Sequence, residues 1–177
     1  MDIKIASNMY LMPDNNAWHD DHFKFEAGQY NNWLDALLSE DKTSLALVIF
    51  VSEIFKHSDY LNQVQSDFDS VKDKFSLIEH SLSKYPKRPL ILCTYIPYSD
   101  SNISNARLAD VWFQISQMLN EYVKSLTEQY KNLHFIDLNR SFSFVGINQC
   151  LSPRNQYLLQ CPLSFKGIEI LRQSIHE

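Results

Sequence analysis

A chain of 177 residues, 45% hydrophobic, 13% aromatic and 21% charged, is long enough to bury one real core and has the composition of a folded globular domain. Its formal charge of −5 argues against non-specific binding to nucleic acid or anionic membrane, which needs clustered lysine and arginine. The cysteines, Cys93, Cys150 and Cys161, are odd in number and far apart, so neither a disulfide framework nor a paired-thiol redox motif is expected. A reducing, cytoplasmic setting follows as the simpler expectation. The opening "MDIKIASNMYLMPD" does not read as a signal peptide. The longest apolar run, "LALVIFV" from Leu45 to Val51, is too short to cross a bilayer and suits a buried strand.

Five strand-type runs alternate with helical patterns in chain order: "IKIA" at 3–6, "HFKFEA" at 22–27, "SLALVIFVS" at 44–52, "PLILCTYIP" at 89–97 and "LHFIDL" at 133–138. The third and fourth are nearly continuous hydrophobic runs, the signature of central parallel strands covered on both faces. Only the second alternates, which places it at an edge. A short helix is expected at 29–40, after Gly28. A long amphipathic helix follows from Leu61, Val64, Phe68, Val71, Phe75, Ile78, Leu82 and Tyr85, capped near Ser58 and Asp59 and stopped by Pro86. Leu108, Val111, Ile115, Met118, Leu119, Tyr122, Leu126 and Tyr130 repeat the pattern, and "SFKGIEILRQSIHE" closes the chain as another helix. This order predicts one domain over 1–177, an α/β three-layer sandwich with a five-stranded, mainly parallel, flavodoxin-like sheet. Ligands of such sheets sit at the carboxyl ends of the strands. Those ends are Ser7-Asn8, Ser52-Glu53, Tyr95 to Tyr98 and Asn139-Arg140.

With glycine only at 28, 146 and 167, neither a dinucleotide fingerprint nor a phosphate loop can be written on the chain. No cofactor is expected. "HDDH" at 19–22 combines metal-ligating residue types, yet it reads more simply as a polar loop, and no metal site is expected. Ser7 follows the first strand, where a serine can be a nucleophile if a base reaches it, or can cap the next turn. Glu53 ends a central strand, where burial shifts a carboxylate, or it pairs with Lys56. His80 and His176 read as surface residues, and His134 as a partly buried strand residue. The aromatics of "NNWL" and "DVWFQ" suit a partner interface, and core packing explains Trp112 and Phe113 about as well.

Taken in order, "IASN", "FVSE" and "CPLSFKG" resemble the blocks of the SGNH (GDSL-like) hydrolase fold. The chain departs from that family at its chemical positions. Ser7 stands one place early, Val51-Ser52-Glu53 replaces the Gly-x-Asn block, Leu158 stands in place of the aspartate, and Cys161 stands where a histidine precedes Pro162. A closer resemblance is to the N-terminal SGNH-like domain of the FkbH-like proteins, which serve polyketide or surface-polysaccharide biosynthesis and carry a HAD-type domain after it. It rests on "IKIASN", "GQYNNWLDALL", "LALVIFVSEIF", "PLILCTYIP", "LNEYVKSLTEQYKNLHFIDLNR" and "SPRNQYLLQCPLSFKGIEIL".

The resemblance implies an SGNH-like domain, the N-terminal part of a longer protein, whose partners are a HAD-type catalytic domain or an acyl carrier protein together with a small-molecule substrate. An unperturbed thiol has a pKa near 8.5 against about 6.5 for imidazole, so Cys161 is a poor substitute for the missing base. The first expectation is therefore a catalytically degenerate domain that binds through Asn8, Ser52, Arg140 and Ser164. The alternative is an esterase or acyl transferase using Ser7 with Glu53 or a histidine as base, and a Cys161 nucleophile is a third reading.

Overall fold

The computed structural model describes residues 3–12, 18, 23–25, 33–51, 64–96 and 106–176. Five strands are assigned: β1 (Ile3–Ser7), β2 (Phe23–Phe25), β3 (Ser44–Phe50), β4 (Leu90–Tyr95) and β5 (Leu133–Asp137). The helices are α1 (Trp33–Leu38), α2 (Val64–Lys84), α3 (Ala106–Gln129), α4 (Leu138–Ser143), α5 (Ile147–Cys150), α6 (Pro153–Leu159) and α7 (Phe165–His176). Every strand pairing is parallel, in the order β2-β1-β3-β4-β5.

The sheet is four strands wide in its working part. The run at 22–27 contributes only the three residues of β2, paired to β1 through Ile3↔Phe23, Lys4↔Lys24 and Ile5↔Phe25. Three residues add little pairing and little apolar area, so the expected fifth strand shrinks to an edge segment. The central strands behave as their composition predicts: β3 and β4 are buried along their whole length.

Side chains of a strand alternate between faces, and β3 shows the consequence. Leu45, Leu47 and Ile49 join Leu90 and Leu92 of β4 in a cluster with Trp33 and Leu37 of α1, Val71, Phe75 and Ile78 of α2, and Trp112, Ile115 and Leu119 of α3. Ala46, Val48 and Phe50 point the other way, with Cys93 and Tyr95, onto Leu138 and Phe142 of α4 and Ile168, Leu171 and Ile175 of α7. Helices thus flank the parallel sheet on both faces. Each fully buried Leu, Ile or Phe contributes about 1.5–3 kcal/mol by removal from water, so these two clusters are the main source of stability.

The α2 and α3 periodicities place Phe68, Val71, Phe75, Ile78 and Leu82, and Ile115, Leu119 and Leu126, in the core as expected. Trp33 and Trp112 are core residues, whereas Phe113 is half exposed. The expected helix start near Ser58 and the "HDDH" stretch lie outside the described residues. Three short helices between β5 and α7 were not anticipated, because α4, α5 and α6 have four to seven residues each and carry no helical period long enough to read. Local capping holds them instead. The Asp137 carboxylate accepts N–H bonds from Asn139 and Arg140 at the start of α4, and the Ser152 hydroxyl accepts one from Asn155 with Pro153 at the first position of α6.

Candidate functional site

In a sheet of order 2-1-3-4-5 the connections leave β1 toward one side and β3 toward the other, so a crevice opens beyond the carboxyl ends of those two strands. The residues there are Ser7 at the end of β1 with Asn8 after it, and Phe50 at the end of β3 with Val51 after it. Asn8 spans the crevice floor. Its Nδ2 donates to the Phe50 carbonyl at 2.9 Å and its Oδ1 accepts the Phe50 N–H at 2.9 Å. One side-chain amide thereby continues the β1–β3 ladder by a step.

A second asparagine repeats this device two strands away. Asn139 Oδ1 accepts the Ile96 N–H at 2.8 Å and its Nδ2 donates to the Ile96 carbonyl, which ties α4 to the end of β4. Asn8 and Asn139 are both nearly inaccessible, and neutral amides with both ends satisfied carry no desolvation penalty for a charge. In this geometry Asn8 fastens β1 to β3, and Asn139, which the sequence placed at a strand end, fastens α4 to the end of β4.

Ser7 is buried at 5% exposure, and its Oγ accepts the Met9 N–H at 3.0 Å. That is the turn-capping use of a serine. No histidine or carboxylate among the described residues is bonded to it. His134 lies on β5, three strand spacings or roughly 14 Å from β1. His80 and His176 are exposed on α2 and at the end of α7. Glu53 and Ser52, expected as a base and a binding residue, lie outside the described residues.

Cys161 is a core residue. It has no exposed surface and sits in the cluster that also holds Met9, Leu163 and Ile168. Burial pushes its thiol up to about 11, against a lowering by a backbone hydrogen bond of Leu163; the thiol also points at the Leu163 carbonyl, 3.8 Å away. It is protonated at neutral pH and neither a base nor a thiolate nucleophile. Cys93 and Cys150 are buried as well, and burial raises both thiols.

The block "CPLSFKG" has a structural reading at each position. Leu151 and Leu163 form an antiparallel bridge, and Ser152 N–H donates to the Pro162 carbonyl at 2.8 Å, so α6 rises from a pinched neck. Ser164 starts α7: its Oγ accepts the Gly167 N–H at 3.0 Å and donates to the Gln149 carbonyl. A Cβ on Gly167 would fall 2.0 Å from the Cys150 carbonyl oxygen. Only glycine lets α7 approach α5 this closely. Ser164 thus caps α7. Arg140 is exposed in the first turn of α4, away from the β1–β3 crevice.

No family model matches the chain, and no curated protein matches it. One solved structure shares the fold: the N-terminal part of the protein BF1531 from Bacteroides fragilis, described as containing a phosphatase domain complexed with Mg. The similarity has a TM-score of 0.71 at 12% identity and covers 99% of this chain. The chain spans about half of that longer chain, 50%. At this identity the likeness is one of fold. It extends over nearly the whole chain. Among the described residues no helix is long and apolar enough to cross a membrane.

Proposed function

We propose that this chain is a catalytically degenerate SGNH-like domain of the FkbH-like type, acting in biosynthesis beside a HAD-type domain. It holds a carrier protein, a small substrate or the partner domain at the carboxyl-end face of its sheet. The observation that carries the reading is the state of Ser7. Its hydroxyl is taken up by the Met9 N–H and has no base bonded to it among the described residues, while the residue standing in the place of the family's histidine is a protonated, fully buried thiol. Nucleophilic attack by a serine needs a base within roughly 3 Å of Oγ. The phosphatase domain described for the structurally similar BF1531 supports a partner of phosphoryl-transfer type, since this chain has neither a phosphate loop nor a glycine-rich turn of its own.

The test is turnover of short-chain p-nitrophenyl esters by the purified chain beside Ser7→Ala and Cys161→Ala. The degenerate reading expects no rate above buffer for any of the three. Turnover that disappears in Ser7→Ala but survives in Cys161→Ala would establish the alternative, an SGNH-type esterase or acyl transferase.

A further inference from the structure

The sheet ends at β5, and among the described residues no strand pairs with its outer side. In a parallel pair, alternate residues turn both backbone groups toward the same neighbour. Leu90 N–H donates to the Asn132 carbonyl at 2.8 Å, so His134 and Ile136, in phase with Asn132, face β4. The Leu133 carbonyl, the N–H and carbonyl of Phe135, and the Asp137 N–H consequently point outward. Such a row is a template for another strand.

This edge is set back. It forms the floor of a groove of about 1120 Å³, with Asn120 and Thr127 of α3 on one wall and Ile175 and His176 of α7 on the other. The recess follows from the layering: α3 belongs to one helical layer and α7 to the other, and the edge of the middle layer lies between them. A second copy of the chain is a poor occupant, because its own β5 is recessed between the same walls and the helices would meet first. One extended segment, about 4.8 Å from β5, fits.

Among the described residues, the charged side chains lining this groove are Arg140 and Asp137, with the histidines His134 and His176 beside them. The Asp137 carboxylate already accepts the Asn139 N–H at 3.0 Å and the Arg140 N–H at 3.4 Å. Ile136 and Ile175 add apolar floor. Backbone groups supply affinity in strand addition, and the flanking side chains supply selectivity.

We propose that the outer edge of β5 takes a single extended peptide segment of another protein as an added strand, with a carboxylate of that segment placed beside Arg140. The surface lies apart from the β1–β3 crevice, so the proposal stands or falls independently of the degenerate-hydrolase reading.

The experiment is selection of a random twelve-residue phage-displayed peptide library on the immobilised full chain, followed by amide hydrogen exchange of the chain with the enriched peptide. The expected peptide alternates apolar and polar residues and contains Asp or Glu, and it slows exchange at Phe135 and Asp137 by tenfold or more. Methylating the peptide's backbone nitrogens that face β5 lowers affinity by about tenfold per lost hydrogen bond. Arg140→Glu, an exposed substitution checked for retained fold by circular dichroism, lowers it by a similar factor. The proposal is overturned by any of four results: no enrichment, protection at α6 instead of β5, indifference to N-methylation, or indifference to Arg140→Glu.

Discussion

The two ends of the sheet are fastened by different chemistry. At the amino end a buried cation does the work. Arg88, 5% exposed, donates from Nη2 to the Leu37 carbonyl at 2.5 Å and to Ser81 Oγ at 2.6 Å, and from Nη1 to the Ser39 carbonyl at 3.0 Å. Its guanidinium lies 4.6 Å from the centre of the Tyr85 ring. A cation here meets the unsatisfied carbonyls of the last turn of α1, and burial lowers its pKa, although arginine stays charged in proteins. Asn132 adds bonds to the Tyr85 and Arg88 carbonyls. At the carboxyl end there is no buried charge among these fastenings, only the paired amides of Asn8 and Asn139. The contrast teaches where adaptation is possible. Charge is committed to closure at one end, while the other is closed by neutral groups.

Breaking the amino end has the largest expected effect. Arg88→Met removes the donors to several buried carbonyls at once and costs about 3–4 kcal/mol, lowering the thermal midpoint by roughly 6–16 °C. Thermal melts followed by circular dichroism read this directly, and a shift of a degree or two would mean that water replaces the guanidinium. At the carboxyl end, Asn139→Leu and Asn8→Leu each cost about 2 kcal/mol. The two clamps act on separate strand pairs, so the double variant adds within about 0.5 kcal/mol in urea titrations. Marked non-additivity would show instead that they form one network.

The thiols sharpen the comparison through pH. The folded pKa of Cys161, about 11, stands above its ordinary value of 9.0, so its contribution to stability is complete below pH 9 and is lost as pH rises from there toward 11. Stability in urea should therefore fall across that window, and less steeply in Cys161→Ala. None of the cysteines should be alkylated by iodoacetamide in the native chain at pH 8, as intact-mass measurement would show. The smallest effect is expected at Ser7→Ala. It removes one acceptor for the Met9 N–H and costs roughly 1 kcal/mol, measured by the same urea titration.

Much of the fold was legible because it is written in long-range periodicity. The continuous apolar runs of β3 and β4 and the three-and-four spacing of α2 and α3 need only burial to act. The edge segment β2 and the helices α4, α5 and α6 escaped because their lengths leave no period to read. Site residues divided by a different rule. Ser7, Asn8 and Ser164 were singled out for residue type and position at a strand or helix end, and the structure gives Asn8 and Ser164 backbone partners and Ser7 a backbone donor. Residue type alone does not distinguish a hydroxyl awaiting a base from one that caps a turn. Arg140 was placed at the end of β5, which it follows, but the groove it lines is the lateral edge of the sheet.

What the sequence determined by itself was the α/β class and the parallel core, because these depend on local pattern. Only tertiary structure decided that Cys161 is buried and protonated, that Asn8 and Asn139 extend the ladders of neighbouring strands, and that Gly167 is required by a carbonyl seventeen residues earlier in the chain. Each of those depends on partners remote in sequence, and their positions follow from how two helical layers close over the sheet.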